Sequence, residues 1–483
     1  MAPSVGTGPD LPGPGARVLV AGLGVSGQAV ARALLELGAQ VLGVEESAGP
    51  AAAAAADALR PLGLDVRVGP ASTDLLAAVD LVVTSPGWRP EHPLLRAAAD
   101  AGVPVWGEVE LAWRMRPPGQ AWLAVTGTNG KTTTTRMLAR MLSASGARAG
   151  AAGNVGTPLV EVVRAEPALQ VLAVELSSFQ LHWSATLAVH SAAVLNLAPD
   201  HLDWHGCLPA YQEAKGRIFR GVQVACVYNV ADPATEELAR SAEVAEGARL
   251  IGFGLGVPRP GQLGIIEDLL VDRAFPPGAD GVGSGATELA AVADIDPPSP
   301  HNVANALAAA ALARAFGVPA GAVRDGLRGF VPDPHRLARL ARVEGVDFVD
   351  DSKATNPHAA AASLGAFASV VWVAGGLAKG ADFDDLVRQG ASRLRGVVLL
   401  GRDRGLIRDA LARHAPDVPV VDIAGTDTGV MDEVVRAAAG LARPGDTVLL
   451  APACASMDLF SNYAARGDAF AEAVTRLARG AGR

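Results

Sequence analysis

The stretch Val125-Thr126-Gly127-Thr128-Asn129-Gly130-Lys131-Thr132-Thr133 determines how this chain is organised. The apolar residues 121–125 before it predict a buried strand, and residues 134–143 after it carry Met and Leu at helical spacing. A strand, a glycine-rich turn, Lys-Thr and a helix form the layout of a phosphate-binding loop, in which backbone N–H groups surround phosphate oxygens and the Thr hydroxyl can ligate Mg²⁺. The strict pattern has Gly where Val125 stands, and an ordinary strand-to-helix turn is the alternative. We predict nucleotide binding.

Composition limits the class of protein. The chain has 483 residues, enough for about three domains, and no apolar run is long enough to cross a bilayer. A net charge of −9 argues against nucleic-acid binding. The three cysteines form no C-x-x-C pair, so we expect no disulfide framework and a cytoplasmic location.

Lysine is rare in this sequence. Lys and Arg together number 41, but only four of these residues are lysines: Lys131, Lys215, Lys353 and Lys379. Arg and Lys differ in shape, hydration and nucleophilicity, so some sites cannot accept a guanidinium. One lysine lies in the phosphate loop. The other three become candidate site residues, with chance survival as the alternative.

The N-terminal part carries a second glycine-rich turn. After a Pro- and Gly-rich segment, residues 1–15, which we expect to be a disordered tail, a strand leads into Gly22, Gly24 and Gly27 in the pattern G-x-G-x-x-G. Glu45 follows the next strand, near the position of a ribose-binding acid. The pattern alone predicts a dinucleotide, but a helix N-terminus facing a diphosphate would suit a nucleotide sugar equally well.

The rest of the chain alternates short apolar strands with helices, which predicts parallel, doubly wound sheets. Polar side chains follow the strand ends, where ligands bind in such sheets. Glu175 and His201 follow two predicted strands of the central part, residues 171–174 and 192–197, and Asn302 and Asn305 open an Ala-rich helix. In the last third, four candidates stand in separate loops: Lys353, Thr355, Lys379 and Ser456. Residues 275–287, rich in Gly and Pro, predict a mobile surface loop.

These motifs together resemble the Mur ligase family over nearly the whole chain. The loop at residues 126–132 is similar to the family's ATP loop, which also lacks the first glycine. Residues 175–180, 351–356 and 452–458 resemble the family member that adds D-glutamate. The resemblance implies an α/β protein of three domains: a Rossmann-like UDP-binding domain (16–116), a P-loop ATPase-like ATP-binding domain with a parallel or mixed sheet (117–331), and a Rossmann-like D-glutamate-binding domain (332–483).

The resemblance also implies an activity. ATP would phosphorylate the carboxylate of UDP-N-acetylmuramoyl-L-alanine, and the amine of D-glutamate would attack the acyl phosphate, in the synthesis of a peptidoglycan precursor. Two Mg²⁺ ions would assist, held by Thr132, Glu175, His201 and Lys215, with Lys215 carbamylated by CO₂. We expect a monomer that neither binds nucleic acid nor inserts into a membrane.

The implied site residues fall into three groups. The catalytic group is Lys131, Glu175, His201 and Lys215. The ATP-binding group is Gly127, Thr128, Asn129, Gly130, Lys131, Thr132, Thr133, Asn302, Asn305, Arg336 and Asp351. The substrate-binding group is Gly24, Val25, Ser26, Glu45, Asn154, Lys353, Thr355, Lys379, Ser456 and Tyr463, with Ser47 as a further uridine contact.

Three rival functions remain at this point. The turn at Gly22 alone would suit an NAD-dependent oxidoreductase, which tight NADH binding would support. A non-catalytic nucleotide-binding regulator would form no amide product. A Mur ligase for another amino acid is the nearest alternative, and the motifs of the last third argue against it.

Overall fold

The computed structural model describes residues 11–275, 285–425 and 429–481. The described residues form two compact units, one drawn from residues 11–298 and 302–330 and one from residues 299–301 and 331–481. Most of the expected tail, and residues 276–284 of the expected mobile loop, lie outside the described residues. Leu11 packs against a buried core, so the tail predicted to reach Gly15 is already ordered at Leu11.

The first unit begins with a five-stranded parallel sheet in the order β3-β2-β1-β4-β5. Buried Val, Leu and Ala residues on β1 and β4 explain why these segments form central strands. The strands are β1 Arg17–Ala21, β2 Gln40–Glu45, β3 Asp65–Val68, β4 Leu81–Thr84 and β5 Val105–Gly107. The helices are α1 Val25–Glu36, α2 Pro50–Leu59, α3 Pro93–Asp100 and α4 Glu108–Met115.

The same unit continues with a nine-stranded mixed sheet, in the order β14-β13-β12-β11-β10-β9-β6-β8-β7. Its strands are β6 Ala121–Thr126, β7 Ala149–Gly153, β8 Val171–Glu175, β9 Ser191–Val194, β10 Ala225–Asn229, β11 Arg249–Phe253, β12 Gln262–Ile266, β13 Leu269–Asp272 and β14 Thr287–Ala291. Its helices are α5 Lys131–Ala144, α6 Leu159–Val162, α7 Ser178–His182, α8 Leu202–His205, α9 Leu208–Gly216, α10 Pro233–Ser241, α11 Pro300–Ala315 and α12 Ala320–Arg328. The pairings β12–β13 and β13–β14 are antiparallel.

The second unit holds a six-stranded sheet in the order β15-β16-β20-β17-β18-β19, parallel except for the β15–β16 pair. Its strands are β15 Ala338–Val343, β16 Val346–Asp350, β17 Val370–Gly375, β18 Leu394–Leu400, β19 Val420–Asp422 and β20 Thr447–Leu450. Its helices are α13 Pro357–Leu364, α14 Asp384–Gly390, α15 Arg404–His414, α16 Val430–Leu441 and α17 Tyr463–Ala481. Among the described residues, no helix is both long and apolar enough to cross a membrane.

The three sheets confirm the predicted α/β fold class. The strand predicted for residues 192–197 is the main local error, because β9 ends at Val194. Beyond this point the backbone leaves the ladder and bonds to the phosphate loop: Thr128 N donates to Asn196 O at 2.9 Å. Leu197 N instead donates to the Asp232 carboxylate at 2.7 Å.

Two buried carboxylates on α4 connect the first two sheets. Glu108 accepts a hydrogen bond from Val160 N at 2.9 Å, at the start of α6. Glu110 accepts hydrogen bonds from Ala185 N at 2.7 Å and Thr186 N at 2.9 Å, and Arg114 pairs with it. Burial raises the pKa of Glu108 to about 7. Burial also opposes ionisation of Glu110, but its hydrogen bonds outweigh that effect and lower its pKa.

This contrast predicts a pH-dependent stability effect for Glu108→Gln. With a pKa of 4.5 unfolded and about 7 folded, Glu108 favours folding below pH 4.5, and that contribution is lost as the pH rises through 7. The loss is about 3 kcal/mol. Gln cannot ionise and still accepts from Val160 N, so the variant should gain stability relative to wild type between pH 5 and pH 8, measured by urea unfolding at both values.

Glu110→Gln is the matched control. Because the folded pKa of Glu110 is lowered, its ionised form stabilises the fold above its unfolded pKa. Its replacement should therefore destabilise the protein at pH 8 and have less effect in acid. If the difference in the free energy of unfolding between Glu108→Gln and wild type stays constant with pH, the raised pKa assigned to Glu108 is contradicted.

Candidate functional site

The phosphate loop joins β6 to α5, and β6 lies between β8 and β9 as the third strand from the β7 edge of the nine-stranded sheet. Gly127 and Gly130 have φ values of +152° and +85°, which residues with a Cβ rarely adopt. A Cβ on Gly130 would also lie only 2.3 Å from Asn305 Oδ1. The glycines are thus required both by the backbone turn and by the close approach of α11.

Two lysines converge on one carbonyl of this loop. Lys131 Nζ donates to Gly127 O and Thr128 O, both at 2.9 Å, and Lys215 Nζ donates to Gly127 O at 2.8 Å. Lys215 is only 2% exposed. Burial, followed by the charge of Lys131, lowers the pKa of Lys215 well below its ordinary value. This environment favours a neutral amine at Lys215.

Glu175 lies at the end of β8, and Val125 pairs with it across the sheet. Its carboxylate is buried, and Oε1 accepts a hydrogen bond from Asn154 Nδ2 at 2.9 Å. Oε2 has no hydrogen-bond partner within the described residues. A buried carboxylate oxygen without a partner, next to a phosphate loop, fits a hard divalent cation such as Mg²⁺.

His201 lies in the loop between β9 and α8. Its backbone has φ +53°, and its ring packs edge-on against Phe179 with centroids 4.8 Å apart. Desolvation and the charges of Lys131 and Lys215 lower its pKa, and Asp200 opposes them. A neutral imidazole is the form that binds metals.

The predicted metal ligands include few of the side-chain types that most often bind metals. No group of three His, Cys, Asp or Glu side chains suited to a metal occurs in the part of the chain that the structure describes. The predicted set contains only two residues of these types, Glu175 and His201. Any ion held there would draw its remaining ligands from Thr132, Lys215, water and the oxygens of its substrates.

Asn196 supports the phosphate loop, and the sequence reasoning missed it. Asn129 N donates to Asn196 Oδ1 at 2.9 Å, and Asn196 Nδ2 donates back to Asn129 O at 3.1 Å. This side chain therefore pairs with the loop as a strand would. Its position directly after a buried strand, in the same segment as His201, was the available signal.

The remaining ATP-loop residues and the asparagines of α11 have separate roles. The buried Thr128 side chain bonds to Ala198 and, at 3.0 Å, to Tyr211 Oη, so it shapes the loop. Thr132 and Thr133 lie in the first turn of α5. Asn302 and Asn305 are buried near the start of α11, where Asn302 Nδ2 donates to Pro297 O at 3.2 Å. The structure thus brings Asn305 to the loop directly.

The glycine-rich turn of the first sheet leaves a helix N-terminus open. Among the residues that the structure describes, no side chain caps α1 and a Cβ on Gly24 would meet nothing within 4 Å, and Val25 is 74% exposed. Ser26 follows in the first turn of α1. Both carboxylate oxygens of Glu45 accept backbone hydrogen bonds, from Leu23 N at 2.8 Å and Ser47 N at 3.0 Å. Beside this turn lies an open cavity of about 400 Å³, lined by Glu46, Gly87, Trp88, Arg89, Glu91 and His92.

The second unit gathers its candidates in loops at the carboxyl ends of its strands. Lys353 Nζ lies 3.7 Å from the centroid of the Tyr463 ring. Lys379 has a left-handed backbone with φ +51°, and its loop pairs with that of Ser456 through Leu377 and Ala455. Thr355 N donates to Lys353 O at 2.8 Å. Three loops thus meet at one edge of the sheet.

Asp351 and Arg336 lie in the same unit. Burial raises the pKa of Asp351 to about 6, and its two oxygens accept hydrogen bonds from Ser363 Oγ and Leu337 N. Arg336 Nε lies 3.7 Å from Asp333 Oδ2. The Asp351 carboxylate is therefore already paired within its own domain, and its contact with ATP stays a prediction.

A Rossmann-like sheet, a phosphate loop in a mixed sheet and a third α/β sheet define a three-domain nucleotide-binding protein. Family models match each part: the N-terminal domain of MurD-like Mur ligases at residues 16–107, the Mur ligase middle domain at 125–313, and the Mur ligase glutamate ligase domain at 335–454. The chain belongs to the Mur ligase family, which confirms the resemblance inferred from its motifs.

Curated relatives match this chain over nearly its whole length. A UDP-N-acetylmuramoylalanine–D-glutamate ligase from Streptomyces avermitilis is 63% identical, covering 96% of this chain and 98% of its own. One of the same name from Thermobifida fusca is 62% identical, covering 96% and 99%.

Solved structures share the fold at low identity. A pseudomurein peptide ligase type C from Methanothermus fervidus has a TM-score of 0.57 at 16% identity, covering 96% of this chain and 100% of that one. The UDP-N-acetylmuramate-alanine ligase MurC from Thermotoga maritima has a TM-score of 0.55 at 19% identity, covering 95% and 99%.

Proposed function

We propose that this protein is an ATP-dependent ligase that joins D-glutamate to UDP-N-acetylmuramoyl-L-alanine. The observation that carries the proposal is the centre around Gly127, where Lys131 and Lys215 share one carbonyl oxygen beside a buried carboxylate. The names of the close relatives support the choice of substrates. The protein would act in the cytoplasm as a monomer. Its three domains would span residues 16–116, 117–331 and 332–483.

The chemistry follows from the weakness of a carboxylate as an electrophile. The L-alanyl carboxylate must attack the γ-phosphate of ATP, which forms an acyl phosphate and releases ADP, and both reacting groups are anionic. Lys131 would offset their repulsion and the charge that develops during transfer. Asn154, which already bonds to Glu175, would hold the substrate near the reacting carboxylate. The acyl phosphate is then attacked by the amine of D-glutamate, which releases phosphate and leaves an amide.

The residues at the loop also fit magnesium. Thr132 and Glu175 would hold one Mg²⁺, for which Oε2 of Glu175 is an unpartnered buried ligand, and His201 would help to hold a second. When bound, the ions supply charge neutralisation and orientation of the phosphates.

The surroundings of Lys215 favour carbamylation of its amine by CO₂. Carbamylation requires a neutral primary amine, which adds to CO₂ and loses a proton. Its lowered pKa and its position beside the loop both favour this reaction. The product replaces this neutral amine by a carboxylate-like group whose oxygens suit Mg²⁺. An arginine could not do the same.

The substrates would occupy separate parts of the chain. The open turn at Gly24, Val25 and Ser26 would take the diphosphate of UDP, with uridine near Glu45 and Ser47 and the adjoining cavity. Asn302, Asn305, Arg336 and Asp351 would contact ATP. The two carboxylates of D-glutamate would be held by Lys353, Thr355, Lys379 and Ser456, with Tyr463 lining the site.

The test is phosphate release by the purified protein with ATP, Mg²⁺ and UDP-N-acetylmuramoyl-L-alanine, with each candidate amino acid in turn. We expect stimulation by D-glutamate and not by L-glutamate, L-lysine or L-alanine. Stimulation by another amino acid would select a different ligase, and ATP binding with no amide product would favour the regulatory alternative. Tight NADH binding would favour the oxidoreductase.

A further inference from the structure

Arg466 lies on α17 and is 1% exposed. Its guanidinium uses all three of its nitrogens: Nε donates to Ser352 Oγ at 3.0 Å, Nη2 to Ser352 O at 2.9 Å, and Nη1 to Cys454 O at 3.1 Å. All three acceptors are neutral oxygens. A buried cation bonded to backbone and hydroxyl oxygens is costly to desolvate, and burial lowers its pKa to about 10. Packing alone would be served as well by an apolar side chain.

The two residues that Arg466 contacts belong to two of the three loops that carry acceptor-site candidates. Ser352 directly precedes Lys353, and Cys454 lies two residues before Ser456. The loops also bond directly, since Ala453 N donates to Ala354 O at 2.9 Å. The fork of a guanidinium fixes both distance and orientation between its acceptors. Arg466 therefore sets the spacing of the two loops.

The start of α17 completes the same network. Ser352 Oγ donates to Tyr463 O at 2.7 Å, and the Tyr463 ring lies under the Lys353 ammonium at 3.7 Å. Tyr463 and Arg466 are one helical turn apart. A shift of Arg466 would consequently move Ser352, and with it the lysine that follows.

We propose that Arg466 is a positioning residue for the amino acid acceptor, which holds Lys353 and Ser456 at the separation that the two carboxylates of D-glutamate require. The inference rests on the proposed function. It concerns binding of the amino acid and predicts little effect on ATP or on the UDP substrate.

The test compares Arg466→Lys and Arg466→Met with wild type. Met removes all three hydrogen bonds but fills the buried space, whereas Lys keeps a cation without the planar fork. Loss of alignment at a binding site costs up to about 100-fold. We expect the KM for D-glutamate to rise about 30-fold or more in Arg466→Met and less in Arg466→Lys. The KM values for ATP and UDP-N-acetylmuramoyl-L-alanine should stay within about twofold.

Two further variants make the result decisive. Arg393→Lys is the control in the same unit: Arg393 precedes β18, at the end of the strand away from these loops, and donates to Phe367 O at 2.8 Å. It should keep all three KM values. Ser352→Ala removes one acceptor of Arg466 with little change of volume, and should raise the KM for D-glutamate about threefold even where the Arg466 variants fold poorly.

A merely structural Arg466 would lower thermal stability and the active fraction and leave the KM for D-glutamate unchanged in the folded variants. That result, or an equal rise of all three KM values, would overturn the proposal. If the wild type itself does not respond to D-glutamate, the proposed function fails and this inference fails with it. A responding wild type with unaffected variants refutes this inference alone.

Discussion

Lys215→Ala should lower kcat by at least about 10³-fold, and added acetate should restore part of the loss. The side chain is buried, donates to Gly127 O at 2.8 Å, and lies beside Lys131 and Glu175. If its carbamate supplies an oxygen ligand to Mg²⁺, removal of the side chain deletes that ligand and leaves a space that a small carboxylate can enter. The measurement is phosphate release with and without acetate, together with ¹³C NMR of the wild type in ¹³C-bicarbonate.

Two controls separate a carbamate from a simple cation. Lys215→Arg places a permanent cation at this position that cannot be carbamylated, so it should be inactive with or without acetate. Lys131→Ala removes the other lysine that donates to Gly127 O and should not respond to acetate. Full activity in Lys215→Ala, or no carbamate signal in an active wild type, would refute the carbamate proposal.

Lys131→Ala should lower kcat/KM for ATP by about 10³-fold, because it removes a fixed positive charge at the phosphate loop. In the structure this ammonium donates to two carbonyls of its own loop, Gly127 O and Thr128 O, which hold it at the turn where the phosphates of ATP would bind. Initial rates at varied ATP concentrations give kcat/KM for ATP in the variant and in wild type. Calorimetric titration with ADP should show a smaller loss of affinity, since the charge matters most during transfer.

Lys131→Arg tests whether charge alone suffices. A guanidinium is wider than an ammonium and cannot occupy the same position between Gly127 O and Thr128 O, so this variant should also be strongly impaired. Thermal unfolding should show that both variants are folded. Activity above about one tenth of wild type in Lys131→Ala would contradict a catalytic role.

The fold class could be predicted from the sequence because the central strands are continuous apolar runs followed by glycine-rich or polar loops. Residues 121–125 and 171–174 became β6 and β8, and their parallel pairing places Glu175 beside the phosphate loop. The Ala-rich helix expected at Asn302 and Asn305 is α11. These features are local, and local periodicity predicts them.

Other features depend on tertiary contacts and could not be read from periodicity. The strand β7 consists only of Ala and Gly (Ala149–Gly153) and forms because it pairs with β8. Asn196 and Arg466 act through side-chain bonds to backbone groups that are distant in sequence. The opposite pKa shifts of Glu108 and Glu110, two residues apart on one helix, arise from different numbers of hydrogen bonds in the buried state.

The most direct test of carboxylate activation at this loop is transfer of oxygen in the D-glutamate-dependent reaction. UDP-N-acetylmuramoyl-L-alanine labelled with ¹⁸O in its carboxylate is incubated with ATP, D-glutamate and the wild-type protein, and the released phosphate is analysed by mass spectrometry. An acyl phosphate requires one labelled oxygen to leave with the phosphate as the amide forms. Phosphate that carries no label, released while amide accumulates, would contradict the proposed mechanism.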